Sequence, residues 1–453
     1  MKLNKKLLAT GILSASLFAG NAFGAVSAEE AAKLGDSLTP MGAEKAGNGE
    51  EIPAWDGGLT TPPEGYEGDG IYVNPFPDEQ PLFTIDQSNV DEYADKLSPG
   101  QVAMIERYDD YKMPVYPTHR TAAYPDHVME ETVENATTVE LIKDGNGLGN
   151  YQTATPFPIP QNGLEAIWNH ITRYRGGSVM RNVGQVTPTE GGAFSVVKFQ
   201  DELTWRTYLT DYEPGEDENV LFYFKQAITG PARLAGNVLL VHETIDQVAE
   251  PRRAWVYNAG QRRVRRAPQV AYDGPGTAAD GMRTSDNFDM FNGAPDRYNW
   301  ELMGKKEMYI PYNSYQLVDR DLSYDEIVKA GHINQDLTRY ELHRVWHVRA
   351  TLKDGERHIY GQRDMYIDED SWQATVIDHY DGRGELWRVA EAHSMQFYDQ
   401  NVPWYAIETL YDLLSGRYLV LGLTNEETNP YTFGVERSSR EYTPSALRRA
   451  GTR

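Results

Sequence analysis

Leu342-His343-Arg344-Val345-Trp346-His347-Val348-Arg349-Ala350-Thr351-Leu352 is the stretch that decides the fold class. In an extended chain Leu342, Trp346, Val348, Ala350 and Leu352 fall on one side, and His343, His347, Arg349 and Thr351 on the other. That is the two-residue period of a β-strand with one apolar and one wet face. Similar runs follow at short intervals: His358–Ile367, Gln373–Tyr380, Leu386–Phe397, Tyr405–Leu413 and Tyr418–Leu423. The gaps hold turn chemistry, such as Lys353-Asp354-Gly355-Glu356, Asp381-Gly382-Arg383-Gly384 and Ser415-Gly416. This pattern predicts an antiparallel meander.

Working towards the N-terminus, strands are expected at Ala136–Ile142, Ala193–Phe199, Trp205–Tyr212, Val220–Ile228, Asn237–Thr244, Arg253–Asn258 and Arg262–Arg266, with an irregular stretch from Pro268 to Met303. Val220–Ile228 is apolar on both sides and calls for cover on both, with the Leu164–Tyr174 helix expected to supply it. Three helices interrupt the pattern. Ser98-Pro99-Gly100-Gln101 is a capping box with proline at the first helical position, opening a helix to about Lys112. Asn162 caps a second, in which Leu164, Ile167, Trp168, Ile171 and Tyr174 recur at helical spacing before Gly176. Ser323 to Glu326 opens a short third, ended by Gly331. The expected fold class is mainly β (α+β), with an antiparallel sheet of so many strands that it curls towards a barrel or a sandwich. Periodicity leaves both a solid core and an enclosed apolar cavity open.

The chain has 453 residues, no cysteine, and a net charge of −24 from 43 Lys+Arg and 67 Asp+Glu. Without cysteine there are no disulfides, thiolate metal sites or cysteine nucleophiles. The acidic balance argues against nucleic acid, whose phosphates demand a basic footprint. At the start Lys2, Lys5 and Lys6 precede an apolar run from Leu7 to Phe18 and then Ala22-Phe23-Gly24, the three-part pattern of a cleaved secretory signal. That run is too short to span a bilayer, which needs about 20 residues. Residues 1–24 are therefore expected to be a signal peptide and 25–81 an extended arm rich in Gly and Pro, and the length allows about two or three domains or one large β domain with additions. No transmembrane segment is expected in the mature chain.

Motifs for chemistry are absent. There is no Gly-x-Ser-x-Gly elbow, zinc-binding His-Glu-x-x-His, phosphate loop or dinucleotide turn. His343 and His347 have helical ligand spacing but lie in a strand, where four residues span roughly 13 Å, too far for one ion. Asp144-Gly145-Asn146-Gly147 starts like a calcium loop but has Thr155 where the bidentate Glu belongs, and so predicts a turn. No catalytic residue, metal site or cofactor is expected. One cluster stands out: Arg252-Arg253-Ala254-Trp255-Val256-Tyr257-Asn258-Ala259-Gly260-Gln261-Arg262-Arg263-Val264-Arg265-Arg266, a hairpin with aromatics on one arm and arginines on the other. Guanidinium forks bind carboxylate and phosphate well, so it reads either as a rim for an anionic headgroup or acidic partner, or as a solvated face.

These residues carry a resemblance. The mature start from Val26 to Gly35, the Leu38–Asn48 stretch, Ile52-Pro53-Ala54-Trp55 and the Trp255–Arg266 hairpin resemble the exported bacterial domain-of-unknown-function 1329 family. That family is grouped with the LolA/LolB-like lipoprotein-carrier fold, which implies a large curved antiparallel sheet, or incomplete β-barrel, with helices covering its concave face around an apolar cavity, and for 82–453 a single such domain with helical insertions and a C-terminal extension. The resemblance implies a Gram-negative periplasm, a hydrophobic cargo, and transport across the envelope with an outer-membrane β-barrel protein and an RND-type transporter as partners. On this reading Trp255, Tyr257, Trp346 and Val348 would line a site for a lipid or other hydrophobic molecule. Trp168 and Ile171 would act as its lid, and Arg263 and Arg265 would meet a headgroup. The alternatives are a non-enzymatic docking subunit of an envelope complex and a hydrolase of lipid or polysaccharide.

Overall fold

The computed structural model describes residues 25–215, 219–267 and 272–451. The expected signal peptide, residues 1–24, lies outside the described residues. The longer strands are β1 (Ser178–Val186), β2 (Val197–Trp205), β3 (Val220–Gly230), β4 (Val238–Thr244), β5 (Arg253–Asn258), β6 (Arg263–Arg266), β7 (Tyr298–Pro311), β8 (Tyr340–Leu352), β9 (Gln362–Asp368), β10 (Ala374–Tyr380), β11 (Leu386–Phe397), β12 (Val402–Asp412) and β13 (Tyr418–Leu423). They join one 16-stranded sheet with the short strands Phe83–Ile85, Met113–Val115 and Tyr431–Phe433. Two meanders, β7 to β13 and β1 to β6, meet where β13 pairs antiparallel with β1 through Val420↔Val186 and Leu421↔Gln185. Pairing is antiparallel throughout the long strands, with a parallel bridge at Tyr340↔Val115. The sheet is open, ending at β6. It curls strongly at the other end, where β7 lies over β10 and β11 as well as beside β8.

Helices lie on both faces. On one face the Gly163–Thr172 helix packs on β7 and β8. A Cβ on Gly163 would stand 2.8 Å from the Trp300 carbonyl carbon, so glycine permits this approach. On the opposite face the Pro99–Arg107 helix packs on β10 and β11. Its capping box is formed as the sequence predicts, and it ends at Arg107, short of the expected Lys112. The Pro444–Ala450 helix covers β4, β5 and β6 on that same second face.

Several expectations need correction. Ala136 to Thr138 belong to the Asp126–Thr138 helix, not to a strand. That helix buries Val128, Thr132, Asn135 and Ala136 at helical spacing, but its stripe is half polar and so invisible to a hydrophobicity count. β7 occupies part of the stretch read as irregular. Its charges mask it: Lys305 pairs with Glu369 at 2.7 Å and lies 4.7 Å from the Trp346 ring centroid. Gly304 at φ +108° supplies the bulge in its pairing with β8. Trp205 ends β2, and Arg206–Tyr208 turn as a 3-10 helix.

The face of β8 expected to be wet is buried at one end. His343 stacks on Tyr312 at 3.9 Å and lies 3.1 Å from a Glu341 carboxylate oxygen. Leu342 packs with Met104 and Ile105 of the Pro99–Arg107 helix, while Trp346 and Val348 pack with Trp168 and Trp372 in the other core. Strand twist separates what simple alternation grouped together.

The residues of the 25–81 arm lie against the sheet. Met41 and Ile52 are buried in its cores, and Tyr72 donates to Asp399 at 2.8 Å while packing edge-on to Phe397. No helix among the described residues is long and apolar enough to cross a membrane.

Candidate functional site

A cavity of about 270 Å³ opens between β3, β4 and β5 and the 272–292 segment. Register explains its wall. Phe222, Phe224, Gln226 and Ile228 alternate onto one face of β3, and across the ladder Glu243, Val241 and Leu239 stand opposite Phe222, Phe224 and Gln226. Leu239 in turn stands opposite Val256 of β5. The outer wall is Pro275, Gly276, Thr277, Ser285 and Phe288, mostly small residues of an irregular segment. Short side chains on an irregular backbone cannot fill the space that a helix fills over β7 and β8.

Charged and polar side chains line this cavity too. Glu243 is held by Arg252 at 2.8 Å and by the Asn292 amide at 3.1 Å. Arg283 is 4% exposed, and its Nε and Nη1 have no hydrogen-bond partner. Its guanidinium lies 5.2 Å from the Phe288 ring centroid. Burial pulls Arg283 below the ordinary guanidinium range against the opposing pull of Glu408, Tyr405 and Asp201.

Behind the cavity the core holds a ladder of ion pairs. Asp289 accepts from both Arg173 and Arg175. Burial alone would raise its carboxyl, but those two guanidinium groups hold it well below the carboxylate range. Arg181 pairs with Asp201 at 3.2 Å and stacks on Trp404 at 4.8 Å. His170 Nδ1 lies 3.0 Å from the Ala374 nitrogen and 3.1 Å from the Trp372 carbonyl oxygen, and its Nε2 lies 3.1 Å from the Asp289 carbonyl oxygen. Burial first, and then Arg173, push that imidazole down to about 3, so it is neutral.

None of the expected ligand residues lines this cavity. Trp255 and Tyr257 face the other side of the sheet. There Tyr257 lies under the Pro444–Ala450 helix, and Trp255 meets His242 at 4.8 Å. Trp346 and Val348 lie under the Gly163–Thr172 helix, and Trp346 stacks on Trp372 at 6.4 Å. Trp168, 1% exposed, donates to the Gly145 carbonyl at 2.9 Å, and Ile171 is buried beside it. The helix carrying them fills a packed core instead of lidding a void. Arg263 and Arg265 are exposed on β6, and Arg265 pairs with Val256, which puts it on the cavity's face at the sheet edge. A cluster formed by His343, Asp368 and Asp370 has metal-like proximity, yet Asp370 is held by Arg120 at 2.6 Å and 2.8 Å.

The family model described as "Protein of unknown function (DUF1329)" matches residues 84–448. The chain belongs to the DUF1329 family. A curated relative, the uncharacterized protein PA3922 of Pseudomonas aeruginosa, is 68% identical over 455 residues, covering 100% of both chains. Among solved structures, a domain from Vibrio parahaemolyticus provisionally described as an outer membrane lipoprotein-sorting protein aligns with 12% identity and a TM-score of 0.44, covering 63% of this DUF1329 chain and 98% of its own. A DUF1329 family protein from Desulfovibrio piger aligns with 14% identity and a TM-score of 0.42, covering 60% and 92%.

Sequence reasoning missed the residues that make the DUF1329 cavity. Phe222 and Phe224 were visible as an apolar strand, but nothing local in Gly-Met-Arg283-Thr distinguishes a buried arginine from a surface one. The one available signal was the excess of Gly, Asp and Asn from Pro268 onwards, which marks irregular backbone and hence poor space filling.

Proposed function

We propose that this protein is a non-enzymatic carrier, or chaperone-like binding protein, for a lipid or another hydrophobic ligand. The observation that carries the reading is the cavity walled by Phe222, Phe224, Ile228, Leu239, Val241 and Val256. Apolar burial contributes about 25 cal/mol per Å², so such a wall can hold an apolar chain with few polar contacts. At about 270 Å³ the space lies near the small end of ligand pockets, roughly 300–1,000 Å³. It suits a single acyl chain or a compact polycycle. The signal-like start supports action in the periplasm, and the family resemblance supports a place in trans-envelope transport beside an outer-membrane β-barrel and an RND-type transporter.

The test is extraction of the purified protein with organic solvent followed by mass spectrometry, paired with titration by a fluorescent fatty acid. A co-purifying amphiphile or lipid and saturable fluorescence are expected. Absence of both would remove the carrier reading.

A docking subunit is the second reading, favoured by the edge strand β6. Among the described residues no strand pairs with its outer edge, and Arg263, Arg265 and Arg266 are exposed. Pull-down of an outer-membrane barrel by an empty, ligand-free protein would favour it.

A further inference from the structure

Building on the carrier reading, we infer that the cavity takes an amphiphile with one anionic head. The head would meet Arg283 and the apolar part would lie along Phe222, Phe224, Leu239 and Val256.

The argument starts from charge. A buried guanidinium is strongly disfavoured unless it is paired and hydrogen-bonded. Arg283 is buried, two of its nitrogens are unpartnered, and among the described residues no carboxylate comes within 4.0 Å of it. The surrounding acids are committed elsewhere. Asp201 accepts from Arg181 and from Gln226 at 2.9 Å, and Glu243 is taken by Arg252 and Asn292. Glu408 accepts the Met290 N–H at 3.0 Å through one oxygen and leaves the other unpartnered. Burial pushes its carboxyl up to about 7, so near neutrality it supplies an incomplete negative charge. By contrast Arg173, Arg175 and Arg181, equally buried in the same core, each have an aspartate.

Position supplies the second half. Arg283 lies on the irregular wall, where Gly276 donates to its carbonyl at 2.9 Å. A Cβ on Gly276 would stand 3.1 Å from Arg283 Nε, so glycine there lets the segment lie close against the guanidinium. The same cavity is lined by the buried Phe222, Phe224 and Val241 and by the partly buried Leu239 and Val256. A free small anion would leave this wall wetted, and a neutral lipid would leave the guanidinium unpaired. An anionic head on an apolar chain satisfies both.

The test compares decanoate, decyl phosphate, decanol, acetate and inorganic phosphate by calorimetry on delipidated mature protein, wild type and the variants Arg283→Gln and Arg283→Lys. Wild type is expected to bind decanoate or decyl phosphate at least tenfold more tightly than decanol. Acetate and phosphate should fail to compete, and the stronger decyl anion identifies the head. R283Q should lose the preference while keeping decanol affinity, and R283K should retain part of it. Equal binding of decanoate, decyl phosphate and decanol to wild type would overturn the anionic head and leave the hydrophobic carrier standing. Binding of acetate or phosphate as tight as that of the decyl compounds would overturn the amphiphile. Silence from every compound would overturn both this inference and the carrier reading. Should R283Q fail to fold by circular dichroism, the wild-type series and R283K decide the matter alone.

Discussion

The indole Nε1 of Trp372 donates to the carbonyl oxygen of Met41 at 2.9 Å, across 331 residues of chain. Trp372 sits in the turn between β9 and β10 at φ +56°, fully buried against Trp346, and Met41 belongs to the same core. The N-terminal arm is thus fastened into the sheet at one of its largest buried side chains.

Trp372→Phe should keep most of the ring burial and lose the bond, leaving a buried carbonyl unsatisfied. The expected cost is about 1–3 kcal/mol, read from urea denaturation. Removing 25–81 should abolish cooperative unfolding, because it strips Met41, Ile52 and Tyr72 from the cores. A truncated chain with the full-length midpoint would show that the arm adds nothing.

Asp289→Asn should be far more damaging. It leaves Arg173 and Arg175 buried without their shared counter-charge, a loss of about 3–5 kcal/mol. Calorimetric melting at pH 7 checks it, and a drop under about 1 kcal/mol would mean the guanidinium groups find other partners.

Glu391 predicts a pH effect. Burial pushes its carboxyl from the usual 4.5 up to about 7, while Gln101, Tyr340 and Tyr111 pull the other way. The folded state therefore binds a proton that the unfolded state releases. The stability this contributes is complete below about pH 4.5 and is lost as pH rises through about 7. Glu391→Gln removes the titration. Its melting temperature should fall below wild type at pH 5 by more than it does at pH 8. Parallel curves across that range would contradict the assignment.

Val256→Trp should fill the cavity mouth. Val256 is half-buried, so the added volume projects into the opening with little core strain. Binding of a fluorescent fatty acid should fall at least tenfold with the melting temperature nearly unchanged. Undiminished uptake would place the ligand elsewhere.

The double variant Arg263→Glu, Arg265→Glu should leave stability within about 0.5 kcal/mol, since both side chains are exposed. If these charges gather an anionic ligand or acidic partner to the sheet edge, the association rate should drop and lose its dependence on salt. Stopped-flow mixing at low and high ionic strength reads both.

Local chemistry carried much of the fold. The Ser98 and Asn162 caps formed as read because an N-cap bond closes within a few residues. The strands from β8 to β13 stood out because alternation and turn residues are neighbours in sequence. The expected cover for Val220–Ile228 went wrong for the opposite reason. It comes not from the Gly163–Thr172 helix but from Tyr442 and Leu447 on one face and Phe288 on the other, all distant in the chain.

The sequence by itself determined a mainly β chain in hairpins with capped helices, because hydrogen bonding, side-chain alternation and turn preference act over short stretches. Only the tertiary structure decided that the Trp346 and Val348 face is packed solid while the Phe222 and Phe224 face stays hollow, with Arg283 among its lining and two of its nitrogens unpartnered. Whether an apolar face meets a helix or a loop of small residues depends on segments far apart in the chain, and that choice sets where space and charge remain.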